Sequence, residues 1–377
     1  MNRSLYPDLE TDLAKKMFFL TGPRQSGKTS LSQSLLVAQP DGQYLNYDVA
    51  EDRALIERGT WSRRAPLLVF DEIHKMPTWK TWLKGVYDGR SAGQQILVTG
   101  SARLDTFRQT GDSLAGRFYS LRLHPFSVRE WCEQTGAQPE AALSHMLERG
   151  GFPEPMLAAS NTEAQRWRRQ YFDGLVRNDV LEFSRLHEVG AMRLFAEMLR
   201  SRVGSPLSLA SIARDLHIAP ATLAKYLAIL EALFIVFVIR PWHRNVARAT
   251  LQAPKVYFYD SGLVLGDAGL RYENLVACAL LKHVQWQQDG QGVEADLHYL
   301  RTKDGAEVDF AISQADTLVE LIECKLGDTK PHRALMRFAG EWPHARATQL
   351  VRDLRQPQDV LGIEIRAAAP WLGALSA

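Results

Sequence analysis

Cysteine is scarce: Cys132, Cys278 and Cys324 are the only three in 377 residues, with no paired spacing for zinc and an odd count for disulfides. That usage suits a reducing cytosol. Long apolar runs are missing too, so no segment is expected to span a bilayer. The first short apolar run leads directly into a glycine-containing loop, which argues against a cleaved secretory signal. Charge of one sign is also lacking: 45 Lys and Arg against 43 Asp and Glu leave a net charge of +2. Such a chain has no global field for nucleic acid, and any DNA affinity has to come from a local patch. With 46% apolar and 23% charged residues, the composition is that of folded globular protein with room for two or three domains. A cytoplasmic protein with no membrane partner is expected.

What is present is organised around Gly22, Pro23, Arg24, Gln25, Ser26, Gly27, Lys28 and Thr29. They fit G-x-x-x-x-G-K-[ST], with Met17 to Leu20 before them reading as a buried strand and Ser30 to Leu36 after them reading as a helix. In that context the backbone N–H groups converge on phosphates, Lys28 reaches the terminal phosphates and the Thr29 hydroxyl can sit on Mg²⁺. Residues 22–30 are therefore the expected ATP site. Ahead of the loop, Leu5, Leu9 and Leu13 at fourfold spacing predict a short amphipathic helix packed on the same domain.

Gln43 to Tyr47 predicts a second strand. Pro66 to Phe70 predicts a third, apolar until it ends in Asp71-Glu72, a Walker B sequence. Asp71 is the expected Mg²⁺ ligand through water, and Glu72 is placed to orient or deprotonate the attacking water. Gln95 to Ser101 predicts a fourth strand ending in hydroxyls, with Ser101, and Thr99 behind it, as candidates for touching the water and the γ-phosphate; the beginning of a loop is the competing reading. Arg117 precedes a fifth strand, Phe118 to Leu123. There it either stabilises transition-state charge in a neighbouring subunit's site or is a solvated arginine beside a helix-ending glycine.

The phosphate loop, Asp71-Glu72-Ile73-His74, Thr99-Gly100-Ser101, Gly116-Arg117, Pro125-Phe126-Ser127-Val128-Arg129-Glu130 and Gly150-Gly151-Phe152-Pro153-Glu154 together resemble the bacterial and archaeal AAA-type ATPases with a C-terminal DUF4143 region. The resemblance runs nearly the full length. It implies an α/β P-loop NTPase domain of three layers (1–130), a helical lid or linker (131–205), a winged-helix-like module (206–260) and a domain related to the PD-(D/E)xK nuclease fold (261–377).

The residues allow each part to be read independently. From Val128 to Arg202 apolar residues recur at helical spacing. Arg166, Arg168, Arg169, Arg177, Arg185, Arg193, Arg200 and Arg202 could follow a DNA backbone, but interleaved acids favour a salt-bridged surface. Ser208 to Leu227 reads as helix, turn, helix, followed by two apolar strands, Phe234 to Ile239 and Val256 to Tyr259, that would form a wing. Its second helix offers Ala221, Thr222, Ala224 and Lys225, a poor set for reading bases; His243, Arg244 and Arg248 leave phosphate contact open.

After the turn at Asp304-Gly305, strict alternation puts Glu307, Asp309 and Ala311 on one strand face, opposite Val308, Phe310 and Ile312. On the next strand, Glu323 and Lys325 share a face. Asp309 and Glu323, with Glu273 as a third carboxylate and Lys325 on the water, match what a Mg²⁺-dependent nuclease needs.

The leading functional expectation is an oligomeric ATPase using ATP and Mg²⁺ to drive conformational change in its C-terminal modules, with DNA as the partner. An ATP-controlled endonuclease is one alternative. A switch that oligomerises and recruits protein partners without nucleic acid is the other.

Overall fold

The computed structural model describes residues 3–100, 114–175, 189–243 and 252–376. The chain forms two compact units, Met1–His124 and Pro125–Ala377.

The first unit is built on β1 (Met17–Thr21), β2 (Gln43–Asn46), β3 (Leu67–Asp71), β4 (Gln95–Thr99) and β5 (Phe118–Arg122). They pair in the order β2-β3-β4-β1-β5, all parallel. Parallel strands are covered on both faces, and β1 and β3 are accordingly apolar and buried throughout. Side-chain alternation divides them between two cores. Phe18, Leu20, Val69 and Leu97 pack with Leu9 of α1 (Tyr6–Leu13) and Leu31 and Leu35 of α2 (Lys28–Ala38). Phe19, Phe70, Ile96 and Val98 face Ile56 of α3 (Ala50–Arg58) and Trp79 and Leu83 of α4 (Trp79–Asp88). The result is a three-layer α/β sandwich of P-loop NTPase type. The order places β4 between the strand that feeds the phosphate loop and the strand that ends in Asp71, so the ends of three strands converge where such sheets bind ligands.

The second unit begins with helices Val128–Thr135, Pro139–Arg149, Pro153–Leu157, Asn161–Gly174 and Val189–Arg200. Within it Arg168, Arg193, Arg200 and Arg202 pair with Asp260, Asp173, Glu197 and Asp215. Those four arginines hold this unit together or cover its surface; Arg177 and Arg185 lie outside the described residues. Helices Leu209–Leu216 and Pro220–Ala232 meet at His217, in the left-handed conformation (φ 54°), and bury Ile212 and Ala213 on one side of the turn and Leu223 and Leu227 on the other.

The two strands that follow, β6 (Val236–Pro241) and β7 (Lys255–Phe258), pair antiparallel, but they are not a free-standing wing. Through Arg240 and Pro241, β6 also pairs with β8 (Ala295–Arg301), and both strands join an eight-stranded sheet with β9 (Glu307–Gln314), β10 (Thr317–Lys325), β11 (Arg346–Val351), β12 (Gln358–Val360) and β13 (Ile363–Ala367). Its order is β12-β13-β11-β10-β9-β8-β6-β7. Arg244 and Arg248 lie outside the described residues.

Strict alternation fails on β9. Between His298↔Ala311 and Leu300↔Val308 the register shifts, so Asp309 and Phe310 together oppose Tyr299. This bulge reverses the faces beyond it. Val308 and Ala311, expected on opposite faces, lie in the same core with Leu321 and Leu335.

Candidate nucleotide site and a charged cluster

The loop after β1 is shaped by its glycines. Gly22 (φ 136°) and Gly27 (φ 101°) hold conformations that disfavour side chains, and a Cβ on Gly22 would collide with the Leu123 carbonyl. Gly27 caps α2, so the first N–H groups of that helix open toward the loop. Ser26 is fully buried, and its hydroxyl has no hydrogen-bond partner among the described residues. Buried polar atoms are rarely left so. Lys28 is buried and folds back to donate to the carbonyls of Gly22 (3.0 Å) and Pro23 (2.6 Å). Burial brings its pKa down to about 8 against the opposing pull of Glu72 and Asp71. The loop also has a support that sequence reading missed: buried Arg3 donates to the Ser26 carbonyl (3.3 Å) and to that of His124.

At the end of β3, Asp71 is tied on both oxygens. The hydroxyl of Thr99, at the end of β4, donates to Oδ1 (2.6 Å), and that of Tyr44, on β2, donates to Oδ2. Thr99 thus anchors Asp71 from full burial, while Ser101 lies outside the described residues. Tyr44 was read only as part of a strand. Burial followed by Asp71 raises its pKa.

Glu72 turns out of the strand in the left-handed region (φ 56°), a costly backbone for a non-glycine residue and frequent at functional sites. Its Oε2 is 3.5 Å from Lys75 Nζ and 3.6 Å from His74 Nε2. Burial first, then Asp71, raises the Glu72 pKa. The arrangement offers a lysine, loop N–H groups and a buried hydroxyl to a polyphosphate, and a hydroxyl and a carboxylate to a divalent cation.

Arg117 lies elsewhere. It ends the turn before β5, where its carbonyl accepts from Met17 N–H at the start of β1 (3.2 Å), whereas the phosphate loop follows the end of β1. Five residues of strand, about 16 Å, separate the two edges. Its guanidinium forms a two-bond ion pair with Asp88, at the end of α4 (2.9 and 3.2 Å).

In the second unit, Glu273, Asp309, Glu323 and Lys325 do come together. Lys325 donates to Glu323 (2.6 Å), and Asp309 N–H faces Glu323 Oε2 (3.4 Å). Burial, followed by Asp309, raises Glu273 to about 7 and Glu323 to about 8. Among the described residues no group of three or more His, Cys, Asp or Glu side chains is placed to hold a metal. Between the carboxylates lies Lys255 of β7, which sequence reading missed. Its ammonium, 1% exposed, lies 2.7 Å from Glu307 and 3.7 Å from both Glu273 and Asp309. A cation of the protein itself stands among the carboxylates.

Among the described residues no helix is long and apolar enough to cross a membrane. The AAA domain family matches residues 14–132, a domain of unknown function (DUF8612) matches 140–273, and a second (DUF4143) matches 268–353. An uncharacterized protein of Mycobacterium tuberculosis is 28% identical over 302 residues, covering 78% of this chain and 66% of that protein. The chain thus spans just under two thirds of that relative's length. An uncharacterized protein of Methanocaldococcus jannaschii is 21% identical over 364 residues, covering 88% of this chain and 80% of its own. Among solved structures, a Walker-type ATPase of Pyrococcus abyssi aligns with a TM-score of 0.44 at 14% identity, over 71% of this chain and 94% of that one. With a phosphate loop in the first unit and these matches in both, the chain carries an AAA domain followed by a DUF4143 domain, and its relatives occur in bacteria and archaea.

Proposed function

We propose that the AAA domain binds ATP with Mg²⁺ and hydrolyses it. The observation that carries this reading is the buried, unbonded Ser26 hydroxyl in a glycine-shaped loop whose lysine senses both Asp71 and Glu72. Backbone N–H groups of residues 22–30 and Lys28 would hold the phosphates, and Thr29 and Asp71 would hold Mg²⁺, which neutralises phosphate charge when bound. Glu72 takes the proton as the oxygen of water attacks the γ-phosphorus and the bond to the ADP oxygen breaks. A carboxylate whose pKa is raised by burial is a better base near neutral pH. Arg117, on the opposite edge of the sheet, serves such a site only from a second copy of the chain.

This reading concerns the first unit. DNA as the partner gains no support from the exposed Ala221, Ala224 and Lys225 of the second turn helix, and Lys255 removes the support for nuclease chemistry. The test is nucleotide binding beside turnover. Lys28→Ala should lose ATP binding, whereas Glu72→Gln should keep it and lose at least about a hundredfold in kcat. Equal loss of affinity in both variants would sink the roles assigned here. Repeating the assay with single-stranded and duplex DNA separates a DNA-stimulated motor from a switch that ignores nucleic acid.

A further inference from the structure

We propose that Tyr44 is a latch on the magnesium position, its hydroxyl occupying the Asp71 carboxylate that a nucleotide-bound divalent cation needs. The inference rests on the ATP reading above and adds a residue that the phosphate-loop and Walker B sequences do not contain.

Tyr44 is rooted on β2, the edge strand, where its neighbour across the ladder is Val69. Its half-buried ring packs with Leu36 against the core beneath α2. From there the phenol reaches past one further residue of each strand to the end of β3. Its hydroxyl donates to Asp71 Oδ2. Asp71 Oδ1 is already taken by Thr99.

Both oxygens of Asp71 are therefore occupied by a protein hydroxyl. The two partners of Asp71 differ in freedom. Thr99 is fully buried on a central strand and stays with Oδ1. Tyr44 is partly exposed on an edge strand and is the partner that would give way when Asp71 holds a cation. Without the cation, the same hydroxyl keeps Asp71 hydrogen-bonded. The latch thus makes magnesium compete with the protein's own hydroxyl, and it raises the Mg²⁺ concentration at which nucleotide is held.

The experiment removes the hydroxyl and keeps the ring. Full-length wild type and Tyr44→Phe are titrated calorimetrically with ADP, without Mg²⁺ and at a series of Mg²⁺ concentrations. Tyrosine ultraviolet difference spectra are recorded as Mg²⁺ is added to the ADP-loaded protein. In Tyr44→Phe the Mg²⁺ midpoint should fall on the order of tenfold, the worth of one hydrogen bond to a charged group, with Mg²⁺-free ADP affinity unchanged. The wild type should give a tyrosine difference band that the variant lacks. An unchanged midpoint overturns the latch alone. A midpoint that rises overturns it in favour of a tyrosine that helps to bind the cation. A wild type that binds no adenine nucleotide overturns both the ATP reading and the latch.

Discussion

Replacing Lys255 by methionine keeps the length and apolar stem of the side chain and removes one charge, which isolates what that ammonium does. Three carboxylates surround it, Glu273, Glu307 and Asp309, and Glu323 accepts the Asp309 N–H beyond them. Glu307 keeps Arg301 (2.6 Å) and Glu323 keeps Lys325 (2.6 Å). Glu273 is left with the Tyr257 hydroxyl (2.8 Å) and Asp309 with the Cys324 N–H (2.9 Å). Two carboxylates are then buried without a cation, a situation that costs about 3–5 kcal/mol. The cost depends on pH with a definite sign. Burial and Asp309 place Glu273 at about 7 and Glu323 at about 8. A carboxyl raised in this way holds in the folded state a proton that the unfolded chain has released. The stability it contributes is complete below the unfolded pKa of about 4.3 and is lost as pH rises through about 8. Lys255 opposes the rise at Glu273, so its loss steepens the decline, and the variant should be hurt more at pH 8 than at pH 5.5. Urea titrations fitted with two transitions, one for each compact unit, measure this. Mn²⁺ supplies the second arm: it should stabilise Lys255→Met, where carboxylates have lost their internal cation, and leave wild type unchanged. A loss under about 1 kcal/mol at pH 8, or a wild type stabilised by Mn²⁺ in a way that Asp309→Ala abolishes, would refute the reasoning.

Arg117→Ala mixed with Glu72→Gln should recover part of the ATPase activity that each lacks alone, because some interfaces pair an intact site with an intact arginine; a monomer with full activity ends the idea and leaves Arg117 as the partner of Asp88. Arg168→Met should cost the second unit about 3–5 kcal/mol, because Asp260, 1% exposed, keeps among the described residues only the Gly262 N–H (3.0 Å) once the guanidinium is gone. Replacing Asp260 by leucine in the same chain should recover part of that loss, and urea midpoints of the single and double variants check it.

The first unit was legible because its signals are local. β1 and β3 are continuous apolar runs, as strands covered on both faces must be, and the phosphate loop declares itself through glycines whose backbone no other residue adopts easily. Lys28 and Asp71 follow from that loop and from the polar end of β3. Tyr44 did not follow. A tyrosine in a short strand reads as core, and nothing within β2 announces a carboxylate 27 positions away. Lys255 was hidden for the same reason, since its three carboxylate partners come from a helix and from β9, both remote in sequence. The β9 bulge escaped because alternation assumes one residue per step, and a two-for-one pairing shows only against β8. Likewise, β6 and β7 look like an isolated hairpin until β8 is placed beside them.

The residues that carried the family resemblance divide by what they do. Of those in the first unit, the loop, Asp71-Glu72 and Thr99 lie together while Gly116-Arg117 sits at the opposite edge of the sheet, and those in the second do structural work. Ser127 caps the helix Val128–Thr135, Glu130 completes the capping box, and the same buried Glu130 pairs with Lys282 of the long helix Ala268–Gln291. Gly151 accepts the Phe126 N–H (2.8 Å), which fastens one motif to the other. Gly150 has φ 74°, and a Cβ there would strike the Asp260 carboxylate that Arg168 holds. These motifs therefore use their residue types for packing, capping and ion pairing. A recurring polar motif outside the nucleotide site of this chain is first a statement about buried charge, and Lys255 extends that statement to the cluster at Asp309: there, too, the structure answers a buried carboxylate with a lysine.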